Sequence, residues 1–154
     1  MGFGTLSLKG RALRLLSQRE HSRAELATKL ARHVQEGDDL NAVLDDLQAK
    51  DFINAHRVAE SLVHRRAARL GTQRLVQELR SKGLDDDLVR ATAEQLRATE
   101  LERARAVWRQ RFGSVADDAK ERARQMRFLA ARGFAGDVVR RVVRGGGPEE
   151  DDAL

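Results

Sequence analysis

A chain of 154 residues, 41% of them apolar and 34% charged, has the length of one domain or of a few small units that share a core. It contains no cysteine, which excludes disulfides, thiolate metal sites and cysteine nucleophiles. No apolar run approaches the roughly 20 residues of a membrane helix. Residues 145–154 hold four acids and no base, which leaves 29 basic against 20 acidic residues, a net of +9, on the rest. These features predict a soluble, cytoplasmic protein whose basic body suits a polyanionic partner.

Start and stop signals divide the chain into nine predicted helices. Ser22 with Glu25, and Thr99 with Glu102, have the spacing of a capping box, in which a hydroxyl and a carboxylate satisfy the first backbone N–H groups of a helix. In chain order, the predicted helices begin near Lys9, Ser22, Asp38 or Asp39, Asn54, Thr72, Asp85, Thr99, Ser114 and Asp137.

The helical pattern repeats with a fixed period. Leu30, Leu79 and Leu129 lie 49 and 50 residues apart, and other apolar positions keep the same offsets. A period of this length is typical of repeat architectures, in which similar units stack to bury a common core. We therefore predict an all-α fold of three tandem three-helix repeats that resemble helix-turn-helix units in an elongated, curved arrangement. The predicted boundaries are a flexible N-terminus at 1–7, repeats at 8–50, 54–98 and 99–144, and a disordered acidic tail at 145–154.

The first repeat differs from the other two at its central turn. Gly83 and Gly133 stand where a helix commonly ends in a left-handed residue, a conformation that glycine adopts without steric cost. Val34 occupies the equivalent place in the first repeat, and Gly37 follows three residues later. We expect Gly37 to take the left-handed position there.

Residues that would support catalysis are not arranged in any recognisable pattern. The chain has no phosphate-binding loop, and its carboxylate clusters fall at predicted helix starts, where capping explains them. His56, Glu60 and His64 could share one helix face, but a metal site would need further ligands, and surface histidines explain the pattern as well. We predict no enzymatic activity, no catalytic residue, no metal and no cofactor.

Basic residues cluster around the same turns of the repeat. Of the 29 bases, 24 are arginine, whose planar guanidinium binds phosphate or carboxylate in a bidentate manner, although a GC-rich genome would also enrich arginine. Recurrence at equivalent turns favours a binding role over a merely solvated face. The predicted contact residues are Arg65, Arg66, Arg69, Arg74, Arg80 and Lys82 in the middle repeat, Arg124, Arg127, Arg132, Arg140 and Arg141 in the third, and secondarily Arg23, Lys29 and Arg32 in the first.

Three phrases of the sequence resemble the signatures of one bacterial family. The segment 19–26, Arg-Glu-His-Ser-Arg-Ala-Glu-Leu, resembles the opening signature of the RecX family. Arg69-Leu70-Gly71 followed by Glu-Leu-Arg-Ser-Lys-Gly-Leu at 78–84 resembles its second signature, and Phe-Leu-Ala-Ala-Arg-Gly-Phe at 128–134 its third. The resemblance extends over about residues 12–143, in the order that the family has.

The resemblance implies a regulator of the RecA recombinase in DNA repair and the SOS response. Members of the family form three tandem three-helix repeats, and they usually inhibit RecA. They lodge in the helical groove of the RecA filament on single-stranded DNA, where they hinder ATP hydrolysis, strand exchange and repressor cleavage. The implied partners of this chain are therefore the RecA filament and, more weakly, single-stranded or double-stranded DNA. We expect the chain itself to be a monomer.

The basic repeats also permit a second hypothesis, that of a stand-alone DNA-binding protein. Helix-turn-helix units bind DNA without a partner protein, and such binding would be tight and would weaken steeply with salt. The third helix of each unit lacks a clear set of Asn, Gln or Arg side chains for reading base edges, so the sequence supports this alternative less well.

Overall fold

The computed structural model describes residues 6–145, and within them the fold consists of eight α-helices and one 3-10 helix without any β-strand. The predicted all-α class is therefore confirmed. The predictions for 1–5 and 146–154 concern residues outside this range. The helices are α1 (Leu8–Gln18), α2 (Arg23–Leu30), α3 (Leu40–Ala49), α4 (Ala55–Arg66), α5 (Thr72–Ser81), α6 (Asp86–Arg111), α7 (Ala119–Ala131) and α8 (Gly136–Val143), and the 3-10 helix Ala31–His33 follows α2.

Nine predicted helices become eight because the sixth and seventh are one continuous helix. The capping-box pattern at Thr99 and Glu102 predicted a break, but α6 runs through it for 26 residues. Thr99 donates its hydroxyl to the carbonyl of Leu96 at 3.3 Å, as a serine or threonine inside a helix commonly does. No proline or glycine lies between 86 and 111 to interrupt the backbone, so the capping pattern was a false signal.

The other helix starts divide into confirmed and corrected predictions. Ser22, Asp39 and Asn54 accept backbone N–H bonds at the starts of α2, α3 and α4, and Ser22 forms the full capping box with Glu25. One further predicted start was wrong, because α7 begins after Asp118 rather than at Ser114. Helix α5 begins at Thr72 as predicted, with Gly71 as its N-cap, and α8 begins at Gly136, one residue before the predicted Asp137.

Each repeat has its own apolar core, built mostly from leucine and valine. The first contains Leu26, Leu30, Leu44 and Leu47, the second Leu62, Leu75, Leu79 and Leu96, and the third Trp108, Leu129, Phe134, Val139 and Val143. Helix α6 contributes to the second and third cores at once, so these two repeats share a structural element.

The central turn of each later repeat packs on the second helix of the repeat before it. Gly83 and Gly133 both have positive φ, +74° and +90°. A methyl group on Gly83 would lie 2.8 Å from Cβ of Ala24 in α2, and one on Gly133 would lie 2.5 Å from Cβ of Arg74 in α5. Both positions therefore require glycine for its conformation and for its small size.

The same packing rule explains why the first repeat departs from the pattern. Among residues 6–145, no helical repeat comes before this turn for it to pack against. Val34 is accordingly exposed with φ of −69°, and Gly37 is the left-handed residue with φ of +88°, as expected. A Cβ on Gly37 would meet nothing within 4 Å.

Candidate functional site

A groove between the second and third repeats brings together basic residues that are far apart in sequence. We call it the inter-repeat groove. It has a volume of about 320 Å³ and contains three arginines and one aromatic ring but no carboxylate. Its lining residues come from the α4–α5 loop, α6 and α7, namely Ala68, Arg69, Val107, Gln110, Arg111, Phe128 and Arg132.

Aromatic rings hold several of these guanidinium groups over their faces. Arg132 lies 4.8 Å and Arg111 5.4 Å from the ring centre of Phe128, within the range of cation–π attraction. Phe128 meets Phe112 edge to face at 5.3 Å, and Arg124 lies 5.8 Å from the ring of Phe112. Arg111 and Arg132 of this groove are therefore held in place by the ring of Phe128.

The α4–α5 loop, which contains Arg69, is hydrogen-bonded to Arg103 of α6. Its guanidinium donates to the carbonyls of Ala67 and Leu70, at 2.9 Å for Ala67, and to the hydroxyl of Thr72 at 3.3 Å. Burial of this guanidinium lowers the pKa of Arg103 from its ordinary value, because the charged form loses hydration. Arg103 is thus a positioning residue for the loop.

The third repeat completes the N-terminus of α5. The first N–H groups of a helix lack partners within it. Here the N–H of Gly71 donates to the carbonyl of Arg132 at 2.8 Å, and that of Gln73 donates to the carbonyl of Gly133 at 3.2 Å. The N–H of Thr72 donates to the buried carboxylate of Glu100 at 2.7 Å. These tertiary acceptors take the place of a side-chain cap, which the N-cap Gly71 does not supply.

Gly71 and Gly133 permit this close approach of two backbones. A Cβ on Gly71 would lie 2.2 Å from the carbonyl carbon of Gly133, closer than any real contact. The relative position of Arg69 and Arg132 across the inter-repeat groove therefore depends on two glycines.

The predicted residues of the middle repeat separate into different environments. Arg65, Arg69, Arg74 and Arg80 are exposed, and Arg80 lies in another groove that also contains Glu100 and Asp137. Arg66 instead pairs with Glu78 at 3.0 Å, and one further polar atom of each, Nε and Oε2, is buried without a hydrogen-bond partner. The structure brings Arg69 and Arg132 together but leaves Arg65, Arg74 and Arg80 outside the inter-repeat groove.

Lys82 faces the first repeat. Its ammonium lies 3.1 Å from Oε1 of Glu25, and both side chains are largely buried, with 16% and 15% exposure. Burial would raise the pKa of Glu25, but the backbone hydrogen bond from Ser22 and the contacts with Lys82 and Arg19 outweigh it and lower the pKa to about 2. Lys82 therefore serves the contact between repeats, and its role towards a partner stays a prediction.

The predicted residues of the third repeat lie on more than one surface. Arg124 pairs with Glu121 at 3.2 Å besides its contact with Phe112, and Arg127 is exposed on α7. Arg140 and Arg141 line a separate groove together with Arg122 and Arg144.

The predicted residues of the first repeat contact other residues of that repeat or line a groove on it. Arg23 pairs with Asp45. Arg32 and Lys29 line a basic groove of about 690 Å³, and the ammonium of Lys29 lies 3.0 Å from Nε2 of the buried His21. Burial, followed by the charges of Arg19 and Lys29, lowers the pKa of His21, although its hydrogen bond to the carbonyl of Arg19 opposes this.

Two residues of the site were missed in the sequence. Arg111 and Arg103 lie on the part of α6 that follows the falsely predicted break. On a continuous helix Arg103 is four residues from Thr99, to which it donates at 3.1 Å. The absence of a helix breaker between 86 and 111 was the signal that could have found them.

Within residues 6–145, no group of three or more His, Asp or Glu side chains is arranged to hold a metal ion. The sequence pattern His56, Glu60 and His64 does not form such a group. Among the described helices, none is both long and apolar enough to cross a membrane.

Family models match all three repeats. The first, second and third three-helix domains of RecX match residues 9–47, 56–92 and 98–143. The protein named Regulatory protein RecX of Leptothrix cholodnii is 56% identical over 146 residues, which covers 95% of this chain and 93% of the relative. That of Ralstonia nicotianae is 51% identical over 96% of this chain and 92% of the relative.

Solved structures agree in fold. The crystal structure of RecX from Lactobacillus salivarius superposes with a TM-score of 0.73 at 21% identity and covers 94% of both chains. A second crystal structure, of a regulatory protein RecX, has a TM-score of 0.72 at 21% identity and covers 88% of this chain and 70% of that one. The three tandem three-helix domains are thereby confirmed.

Proposed function

The chain belongs to the RecX family of regulatory proteins, and from that premise we propose that it regulates the RecA recombinase by binding the RecA filament on single-stranded DNA. The proposed effect is mainly inhibitory and acts on ATP hydrolysis, strand exchange and repressor cleavage. The protein acts as a binding module without catalysis or cofactor, in the cytoplasm and as a monomer.

The inter-repeat groove supports this proposal and indicates which residues bind the filament. Arg69, Arg111 and Arg132 converge there from three elements, with no carboxylate among the lining residues. Phe128 adds an aromatic surface, and basic grooves with aromatic rings suit the backbone and bases of single-stranded nucleic acid. The same guanidinium groups can bind protein carboxylates of a filament in a bidentate manner.

Three repeats in one chain would allow several weak contacts to act together. The first-repeat groove with Lys29 and Arg32, and the groove with Arg140 and Arg141, are further basic surfaces on the same molecule. Linked contacts of this kind gain affinity through a high effective concentration, so no single surface has to bind tightly.

Stand-alone DNA binding through helix-turn-helix units is disfavoured by charge at the third helices. A recognition helix enters the major groove with its N-terminal residues. Here α3 follows Asp38 and Asp39, and α6 begins with Asp86 and Asp87 after Asp85. Carboxylates at these ends would repel DNA phosphates.

A charge-reversal experiment tests the proposal. We expect the triple variant R69E, R111E and R132E to lose binding to RecA filaments and inhibition of strand exchange while its far-ultraviolet circular dichroism stays helical. The matched control reverses the exposed Arg90, Arg97 and Arg109 of α6, which gives the same change in net charge outside the groove.

Two results would contradict the proposal. Inhibition that persists in the triple variant would move the interface elsewhere, and an equal loss in the control would attribute the effect to net charge. Tight and salt-sensitive DNA binding in the absence of RecA would favour the stand-alone alternative.

A further inference from the structure

A second basic groove lies at the end of the third repeat, and we call it the C-terminal arginine groove. It is open, has a volume of about 370 Å³, and is lined on its polar side by Arg122 of α7 and by Arg140, Arg141 and Arg144. Its apolar lining comes from Met126, which packs against the third core, and from Val143.

The charges of this groove are strongly unbalanced. Among the described residues that line it, Asp137 is the single carboxylate against four guanidinium groups. The segment that follows in the sequence has the opposite composition, since Glu149, Glu150, Asp151 and Asp152 lie in a stretch of ten residues without a base. The acids of this segment are opposite in charge to the arginines of the groove.

The acidic segment is attached beside the groove. Val143 and Arg144 line the groove, and Gly145 follows them directly. Gly145 has φ of +77°, and its N–H donates to the carbonyl of Val142 at 2.9 Å, which closes the end of α8 and turns the chain away from the helix axis. The first acid is four residues further on, a span of at most about 14 Å.

We propose that residues 149–152 bind the C-terminal arginine groove of their own chain and thereby compete with a polyanionic partner for it. The contact itself follows from the groove, the charges and the point of attachment. The competition rests on the proposed function, because it presumes that a polyanion uses this surface.

A tethered segment needs little intrinsic affinity to occupy such a groove. Exposed ion pairs are individually weak, but a short linker holds the acids at an effective concentration on the order of millimolar. The contact is therefore expected at low ionic strength and is screened at high salt, where the Debye length falls to about 3 Å at 1 M.

The basic groove of the first repeat offers an internal comparison. It contains Arg11, Arg14, Lys29 and Arg32 without a carboxylate, so charge alone would suit the acidic segment equally well. It lies on α1, α2 and the 3-10 helix, whereas the C-terminal arginine groove includes the residues from which the segment extends. Covalent attachment therefore favours the C-terminal arginine groove.

Paramagnetic broadening in the full chain tests the contact. Because the sequence has no cysteine, A153C provides a unique position for a spin label. At low salt we expect selective broadening of the amide signals of residues 140–144 and 122. The broadening should disappear in 1 M salt and in the variant that adds R140E and R144E.

Mixing experiments separate the possible occupants. Spin-labelled, unenriched protein is mixed with unlabelled, ¹⁵N-enriched protein, so broadening in the mixture reports a contact between two copies. Broadening in the mixture, broadening centred on Arg11 and Arg14, or none above the random-coil level would each overturn the intramolecular contact.

A charge-matched pair of variants tests the competition. In E149Q, E150Q, D151N and D152N, affinity for a fluorescent thymidine oligonucleotide should rise by about threefold to tenfold at low salt. The control E36Q, E60Q, D87N and E94Q changes net charge equally at exposed positions elsewhere. An equal rise in the control, or no rise in the first variant, would overturn the competition. The broadening experiment tests the intramolecular contact separately from the competition. Neither assay contains RecA, so a failure to regulate RecA would not affect either result.

Discussion

The two junctions between repeats solve the same packing problem by different means. In both, the central turn of one repeat packs on the second helix of the preceding repeat, through Gly83 on Ala24 and through Gly133 on Arg74. The first junction adds side-chain ion pairs, whereas the second adds backbone hydrogen bonds and a shared helix. The same turn can therefore be stabilised either by ion pairs or by close backbone packing.

Charged side chains join the first repeat to the second. Lys82 reaches Glu25 at 3.1 Å, and Arg57 of α4 reaches Glu20 at 2.9 Å. Arg19 adds a further contact to Glu25 at 3.1 Å. Because ion pairs respond to protonation and salt, this junction should depend on solution conditions.

Backbone contact and steric fit join the second repeat to the third. Gly71 and Gln73 donate to carbonyls of the Gly133 turn, and α6 passes through both repeats without interruption. None of these features titrates near neutral pH. The inter-repeat groove lies at this junction, so its arginines are held by the part of the molecule that should be least sensitive to conditions.

The largest expected effect is the steric opening of the second junction by G71A. Its new Cβ would lie 2.2 Å from the carbonyl carbon of Gly133, and the φ of Gly71, −78°, is acceptable for alanine. The cost is therefore purely steric, and we expect a loss of about 3 kcal/mol or more in urea-induced unfolding at neutral pH.

G37A is the matched control for this variant, because its cost is purely conformational. Gly37 has φ of +88° and open space around its Cβ position, so about 1–2 kcal/mol should be lost. Equal losses in G37A and G71A would contradict the importance of close backbone approach at the second junction.

Removing Arg103 should have the next largest effect. R103M leaves the carbonyls of Ala67 and Leu70 without their side-chain donor. We expect a loss of about 2–3 kcal/mol in the free energy of unfolding, together with faster hydrogen exchange in the loop 67–71. R109M, at an exposed position of the same helix, should change stability by no more than about 0.5 kcal/mol. Unchanged exchange in R103M would argue against the positioning role.

The smallest expected effect is that of E25Q, which tests the ion pairs between the first and second repeats. Glutamine retains the capping geometry but loses the charge that Lys82 and Arg19 contact. At pH 7 we expect a loss of about 1–2 kcal/mol in the free energy of unfolding. The exposed E36Q should be nearly neutral.

The pH dependence of this effect has a definite sign. The folded pKa of Glu25, about 2, is below its ordinary value of 4.5. Its contribution is therefore complete above about pH 4.5 and is lost as the pH falls towards 2. The difference between wild type and E25Q should shrink between pH 7 and pH 2.5, and also in 1 M salt. A difference that is constant across these conditions would show that the charge is not the cause.

Local signals predicted many of the helix ends because the relevant contacts lie within a few residues. Ser22 with Glu25, Asp39, Asn54 and Gly37 all behave as their sequence positions indicate. The same reasoning failed at Thr99, where a capping pattern lies inside a helix. A capping residue is used only where a helix begins, and no proline or glycine interrupts the helix near Thr99.

The candidate site was only partly predictable. Arg69 and Arg132 were identified from their position beside the repeated turns, and the structure places them in one groove. Arg111 could not be associated with them from the repeat pattern, since the period describes equivalent places in separate units and not contacts between units. Lys82 had the same positional signal as Arg132, but the carboxylate of Glu25 on the neighbouring repeat engages it.

The sequence by itself determined the all-α class, the threefold repeat and the turn glycines, because hydrophobic period and backbone conformation act locally. Only the tertiary structure decided that the N-terminus of α5 is completed by Glu100 and the Gly133 turn, and which arginines converge. These outcomes depend on contacts between residues that are tens of positions apart, for which no local pattern exists.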